Sequence, residues 1–171
     1  SFDGVFSDGV LLANTIKGLY GIDVSRNSFD MTSIAPRLFE YAIKNEKSIY
    51  IVASKECEVK RAISILHENY PGLKIIGYRN GYFKDDNEID SAISKIIDLS
   101  PDYLIVGMGI VKQEQFLIRA KNSGFKGIGF SCGGFIHQTS KNLINYYPNW
   151  VDKHDFRFLY RMLKEPHTRK R

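Results

Sequence analysis

Short β-rich runs alternate with longer segments of helical period along most of this chain, and this alternation constrains the fold more than any other feature. The β-rich runs fall at 5–7, 48–54, 73–78, 102–107 and 126–131, and the helical segments at 9–20, 32–45, 56–69, 86–99, 111–123 and 139–146. The apolar runs lack polar alternation, which is typical of strands covered on both sides. The pattern predicts an α/β fold in which a mostly parallel sheet carries helices on both faces.

The length and composition predict one domain with a short appendage. The chain has 171 residues, of which 43% are hydrophobic, and we assign residues 1–150 to the domain and 151–171 to the appendage. The longest apolar run, at 103–111, is shorter than the roughly 20 residues of a helix that spans a bilayer. Cys57 and Cys132 form no CxxC pair and no zinc-binding spacing with the histidines, so we expect a reducing cytosol and a structural role for the Cys132 thiol.

The net charge of +5 comes from the C-terminal end of the chain. Residues 153–171 hold seven Lys and Arg against Asp155 and Glu165, whereas the rest of the chain is balanced. The cations recur at helical spacing beside an apolar stripe, which predicts an amphipathic basic helix. Such a helix fits an anionic membrane surface. It is equally compatible with an apolar face packed on the domain and cations in water.

The loops that follow the predicted strands are the places to look for a ligand, because parallel sheets bind ligands at the carboxyl ends of their strands. In GMGIVKQE, Gly107 and Gly109 allow a tight turn, and the next helix begins with unpaired N–H groups that favour a diphosphate. Lys112 adds positive charge, and Gln113 and Glu114 are placed to bond sugar or ribose hydroxyls. A tight turn without a ligand explains this motif equally well.

Two further loops carry polar groups. SDGV places Asp8 after the first predicted strand, where its carboxylate is able to accept a proton from a substrate hydroxyl. Aspartate is also a common helix N-cap, and the residues by themselves favour that role for Asp8. In SCGGFIHQ, Gly133 and Gly134 permit a second close approach of the backbone, and His137 and Gln138 offer polar contacts. The alternative for this loop is a simple turn beside a surface histidine.

These motifs occur in an order that resembles the WecB/TagA/CpsF glycosyltransferase family nearly from end to end. They are SDGV with Arg26 and Asp30 downstream, PDYLIVGMGIVKQEQF, GIGFSCGGF, YYPNW and FRFLYRMLKEPHTRKR. Members of the family add a sugar from a nucleotide donor to a lipid-linked acceptor in bacterial envelope polysaccharide synthesis. The resemblance implies a Rossmann-like α/β fold and a reaction without a metal or another cofactor.

The resemblance also implies roles for individual residues. Asp8 corresponds to the aspartate proposed as general base, Gln113 to a glutamine near the donor, and Arg26 to an arginine of the active-site pocket. Arg161 and Arg171 correspond to basic residues of a C-terminal appendage that completes the site at the membrane surface. We expect these two arginines to stabilise the negative charge of the departing nucleotide.

The combined prediction is an inverting transferase that moves a sugar from a UDP-sugar to a polyprenyl-diphosphate-linked acceptor in capsule, teichoic acid or exopolysaccharide synthesis. We expect a cytoplasmic protein held peripherally on the inner face of the bacterial membrane, without a nucleic-acid partner and with an oligomer possible. The alternatives are an NAD-dependent or nucleotide-sugar-modifying enzyme, which normally carries a longer GxGxxG motif, and a non-catalytic binding module with a basic tail.

Some positions depart from the family pattern and bear on the identity of the donor. Val111 stands where the family usually has proline, FIHQ at 135–138 replaces an FDF-type sequence, and Thr168 takes a place where some relatives have arginine. Family members usually carry a further N-terminal segment with threonine and asparagine contacts to substrate. The sequence is therefore expected to be either a trimmed form or a shorter relative.

Overall fold

The computed structural model describes residues 2–141 together with residues 151, 160 and 163. Its helices and strands alternate as the sequence predicts. In chain order the elements are α1 (Val10–Tyr20), α2 (Ile34–Lys44), β1 (Ser48–Ala53), α3 (Glu56–Asn69), β2 (Lys74–Arg79), α4 (Asp86–Leu99), β3 (Tyr103–Gly107), α5 (Lys112–Asn122), β4 (Ile128–Ser131) and α6 (Phe135–Ser140).

The four strands form one sheet in the order β2-β1-β3-β4, and every neighbouring pair is parallel. Strands β1 and β3 lie in the centre, and each of their residues is buried. Parallel strands of this kind need cover on both faces, which explains why their sequences are continuously apolar. The predicted Rossmann-like α/β fold is therefore confirmed.

Helices cover both faces of the sheet, as predicted, because alternate side chains of each strand point in opposite directions. One core joins Ile49 and Ile51 of β1 to apolar side chains of α2, α3 and α6. The other joins Tyr50 and Val52 of the same strand to side chains of α4 and α5. Each large apolar side chain buried in this way contributes about 1.5–3 kcal/mol.

Two predicted elements differ in the structure. Residues 5–7 form no strand, because Val5 and Phe6 are exposed and the segment has no neighbour in the sheet. The segment is held instead by the Asn27 N–H, which donates to the Ser7 carbonyl at 3.0 Å. The helix predicted at 139–146 begins earlier, at Phe135, since this side chain packs into the core beside α3.

The predicted basic helix of residues 153–171 lies almost entirely outside the described residues. Within the appendage, Val151 is fully buried and Tyr160 packs against it. The division of the chain at residue 150 stays a prediction, because 142–150 are outside the described part. No helix in the described part of the chain has the length and apolarity needed to traverse a bilayer.

Candidate active site

The order of the strands creates a crevice at the carboxyl edge of the sheet. The chain passes from β1 to β2 on one side and then crosses to β3 on the other side of β1. The connections after β1 and β3 therefore diverge, and open α/β sheets bind ligands at this switch point. A cavity of about 1430 Å³ lies here. Ligand pockets are typically about 300–1,000 Å³, so this cavity has room for a nucleotide sugar and part of a second substrate.

The cavity gathers the predicted site residues that belong to the described chain. Those that line it are Asp8, Arg26, Gly107, Gly109, Lys112, Gln113, Glu114, Gly133, Gly134, His137 and Gln138. They come from four separate segments that the fold brings together. Arg161 and Arg171 lie outside the described residues, so their predicted place at the site stays a prediction.

The loop between β3 and α5 has an unusual backbone. Gly109 has a φ of +86°, which a residue with a side chain rarely adopts, and a Cβ added there would meet open space. Val111 precedes the first residue of α5 with a φ of 73°. A β-branched residue at positive φ is a strained outlier, and such strain concentrates at functional sites. Proline, whose φ is fixed near −65°, is incompatible with this conformation.

Gly107 has a different role from the one its motif suggests. It ends β3 and is buried, and an added Cβ would lie 2.8 Å from the Cys132 Sγ and 2.9 Å from the Gly133 carbonyl. The missing side chain therefore lets β3 and the loop after β4 approach each other. Gly107 shapes the wall of the cavity by packing, whereas Gly109 supplies the turn.

The first turn of α5 forms part of the cavity wall. Gln113 is 6% exposed, and its Oε1 accepts a hydrogen bond from the Gly133 N–H at 3.2 Å. Its Nε2 donates to Glu114 Oε1 at 2.7 Å. Glu114 Oε2 is buried and has no hydrogen-bond partner among the described residues. Lys112 is exposed at the same helix end, where its charge and the helix dipole both favour an anion.

Arg26 fixes the segment that carries Asp8. Its Nε donates to the Asp8 carbonyl at 2.9 Å, and its Nη2 donates to the Ser28 hydroxyl at 2.9 Å. The carboxylate of Asp30 lies 3.5 Å from the same Nη2. The N-cap of α1 is Gly9, without a side-chain cap. The structure thus rejects capping as the role of Asp8, whose exposed carboxyl group lines the cavity.

A pair of side chains joins α3 to α6 at the cavity. Glu58 Oε1 lies 2.9 Å from His137 Nδ1, and both residues line the cavity. His137 was predicted from the sequence, whereas Glu58, 79 positions away, was not. The sequence signal that could have identified Glu58 was its position in the first helical turn after β1. The carboxyl end of a central strand is where parallel sheets bind ligands. His137 belongs to a helix rather than to the predicted loop.

Cys132 is a structural thiol, in agreement with the sequence analysis. The side chain is buried below the Gly107 backbone, and desolvation raises the pKa of its thiol to about 12. It therefore stays protonated and is a poor nucleophile at neutral pH. Within residues 2–141 and the few described positions beyond them, no cluster of three or more His, Cys, Asp or Glu side chains is arranged to hold a metal ion.

Comparison with known proteins gives a match over the whole chain. The sequence profile of the glycosyl transferase WecG/TagA/CpsF family matches residues 1–171. A UDP-Gal:alpha-D-GlcNAc-diphosphoundecaprenol beta-1,4-galactosyltransferase of Shigella boydii is 34% identical over 99% of this chain and 70% of its own length. An N-acetylglucosaminyldiphosphoundecaprenol N-acetyl-beta-D-mannosaminyltransferase of Bacillus subtilis is 28% identical over 78% of this chain and 51% of its own length.

Proposed function

Because this chain belongs to the glycosyl transferase WecG/TagA/CpsF family, we propose that it transfers a sugar from a UDP-sugar to an undecaprenyl-diphosphate-linked saccharide. The observation that carries the proposal is the cavity at the sheet's switch point, which brings Asp8 together with the loops after β3 and β4. The names of both relatives describe transfer to an undecaprenyl-diphosphate saccharide. This agreement supports the acceptor class, and envelope polysaccharide synthesis as the pathway.

The donor diphosphate binds at the start of α5 in this proposal. Gly109 turns the backbone towards the cavity, and the N-terminal end of α5 presents its positive dipole end to the phosphates. Lys112 adds a full positive charge beside them. Gln113 contributes mainly by holding the wall in place, since its carbonyl is already bonded to the Gly133 N–H.

Asp8 acts as the general base. Its carboxylate takes the proton of the acceptor hydroxyl as the hydroxyl oxygen attacks the anomeric carbon of the donor, and the bond from that carbon to UDP breaks. This single displacement inverts the anomeric configuration. Arg26 holds the backbone of Asp8 in place through its carbonyl and leaves the carboxylate available to the acceptor. General-base catalysis of this kind is typically worth about 10²–10⁴ in rate.

The surroundings of the cavity suit a lipid-linked acceptor. Several exposed apolar side chains line it, and a large exposed apolar patch normally marks an interaction site. They are Phe2, Val5, Phe6, Leu11, Tyr82 and Ile110. We place the protein peripherally on the inner face of the membrane, where the basic tail faces anionic lipid and Arg161 and Arg171 stabilise the departing UDP.

The test is a transfer assay with a panel of UDP-sugars and a short-chain GlcNAc-diphospho-polyprenyl acceptor. We expect one donor to be consumed with inversion, and calorimetry to show saturable binding of UDP but not of NAD. Failure to bind UDP or any UDP-sugar would contradict the donor class. Donor consumption that is independent of the lipid acceptor would contradict the acceptor class.

A further inference from the structure

The pair of Glu58 and His137 has a geometry that the proposed reaction does not use. Glu58 lies in the first turn of α3, and its Oε2 accepts the Lys55 N–H at 3.1 Å. Its other oxygen lies 2.9 Å from His137 Nδ1. The carboxylate is therefore fixed from one side by its own helix and holds the imidazole of α6 from the other.

The protonation of this pair follows from its contacts. Desolvation raises the pKa of Glu58, but hydrogen bonds from the Lys55 N–H and from His137, together with the nearby positive charges, outweigh it and leave that pKa below its ordinary value. Glu58 is thus a carboxylate at neutral pH and has no proton to donate. Nδ1 of His137 must then carry the hydrogen, and in the neutral ring Nε2 holds a lone pair.

Nε2 of His137 is buried and has no hydrogen-bond partner among the described residues. A buried polar atom without a partner costs about 1–3 kcal/mol, so its retention in the wall of a binding cavity points to a ligand that satisfies it. A second buried acceptor without a described partner, Glu114 Oε2, lines the same cavity. With the ring neutral and Glu114 ionised, both atoms accept hydrogen bonds, and phosphate oxygens at neutral pH donate none.

We propose that Glu58 and His137 form a pair that recognises a sugar hydroxyl of the substrate. His137 Nε2 accepts the hydrogen bond of the hydroxyl, and Glu58 is a positioning residue that sets the tautomer and orientation of the ring. The inference rests on the proposed function, because it takes the ligand of the cavity to be a sugar. The hydroxyl belongs either to the donor sugar or to the acceptor sugar.

The experiment uses His137→Phe and Glu58→Gln, with His67→Phe as the control, since His67 is an exposed histidine of α3 that does not line the cavity. Calorimetry measures the affinity for UDP and for UDP-galactose, and transfer assays measure the KM for the lipid acceptor. Thermal unfolding checks that each variant is folded. Glu58→Gln keeps an oxygen that accepts the Nδ1 hydrogen, so it tests the pair without removing the ring.

We expect His137→Phe to lower sugar recognition about tenfold, which corresponds to the loss of one hydrogen bond, and to leave UDP affinity unchanged. Weaker UDP-galactose binding assigns the hydroxyl to the donor, whereas a raised acceptor KM with normal donor binding assigns it to the acceptor. Glu58→Gln should shift the same quantity in the same direction by a smaller factor, and His67→Phe should shift none.

Three results would overturn the inference. The first is an equal loss of UDP and UDP-galactose affinity, which would mean that the pair contacts the nucleotide. The second is wild-type affinity and acceptor KM in both folded variants. The third is an equally large shift in the His67→Phe control, which would show that the effect does not depend on the pair. A wild-type protein that fails to bind UDP or any UDP-sugar of the panel would overturn the proposed function itself.

Discussion

The Gly133 N–H donates a hydrogen bond to the side-chain carbonyl of Gln113 at 3.2 Å, and this contact ties the loop after β4 to the start of α5. Gln113 is 6% exposed whereas Gly133 is exposed, so removal of the Gln113 side chain breaks this bond and leaves the Gly133 N–H to water. We predict that Gln113→Ala lowers the free energy of unfolding by about 0.5–1.5 kcal/mol and weakens UDP binding. Urea unfolding and calorimetry measure the two effects.

The matched control is Gln115→Ala, since Gln115 is an exposed glutamine of the same helix. It should change the free energy of unfolding by less than about 0.5 kcal/mol. Equal effects of the two substitutions would show that the contact between Gln113 and Gly133 contributes nothing to stability.

Asp8→Asn should keep donor binding and lose turnover. The amide has nearly the shape of the carboxyl group, but it does not accept the proton of the acceptor hydroxyl, so we expect kcat to fall by about 10²–10⁴. Asp23→Asn is the control, because Asp23 pairs with Lys17 on the surface and does not line the cavity. Retention of full activity in Asp8→Asn would remove Asp8 from the role of base.

Gly107 and Gly109 should respond differently to alanine. In Gly107→Ala the new methyl group meets the Cys132 sulfur and the Gly133 carbonyl, and overpacking of this kind costs about 1–3 kcal/mol. In Gly109→Ala it meets no atom, so the cost is the left-handed backbone alone, about 1–2 kcal/mol. The structure of the first variant should show a displaced loop after β4. An undisturbed loop there would contradict the packing role of Gly107.

Val111→Gly should stabilise the protein. Val111 is strained at a φ of 73° and is 57% exposed, so glycine relieves the strain and loses little packing. Relief of the backbone strain is worth about 1–3 kcal/mol. This exceeds the cost of about 0.5–1 kcal/mol for fixing the more flexible glycine backbone on folding. We therefore expect urea unfolding to show a gain of about 1 kcal/mol. Ile110→Gly is the control, because Ile110 is an exposed neighbour without a positive φ, and this variant should be less stable than wild type. A loss of stability in both variants would contradict the strain at Val111.

The pH dependence of stability should show the contribution of Asp102. Hydrogen bonds from the Ser48 N–H, from Lys47 and from the Ser48 hydroxyl lower the pKa of Asp102 to about 2. Since its unfolded value is about 3.9, the stabilisation is complete above about pH 4 and is lost as the pH falls towards 2. Asp102→Asn should be less stable at pH 7 and should lose less stability between pH 4 and pH 2.

Urea unfolding at several pH values measures this difference. The control is Asp98→Asn, because Asp98 is an exposed residue of α4. Its stability should follow the wild-type profile at every pH. If wild type and Asp102→Asn lost the same amount of stability between pH 4 and pH 2, other carboxyl groups would account for the acid sensitivity.

The elements that the sequence predicted well are those whose signal lies within a few neighbouring residues. The run at 48–54 is apolar from 49 to 53, as a strand buried on both faces requires, and it matches β1. The amphipathic period at 86–99 matches α4. The segment 5–7 has the same β-rich composition but forms no strand, because pairing requires a neighbouring strand that its own residues do not specify.

The candidate site shows the same division. The loops after the strands were predictable, because the carboxyl ends of parallel strands share one edge of the sheet. The contact of Glu58 with His137 was not, since it joins the first turns of two helices that pack together only in the folded core. Gly107 was predicted to allow a tight turn at a ligand, and only the structure shows that its missing side chain makes room for the loop of Gly133.

The sequence by itself determined the parallel α/β class, the positions of most strands and helices, and the loops that carry the polar groups. Tertiary structure alone decided the strand order β2-β1-β3-β4, and with it the switch point where the cavity lies. It also decided which side chains of those loops meet. The physical reason is that periodicity records contacts within one strand or one helical turn, whereas strand order and contacts between distant helices depend on how the whole core packs.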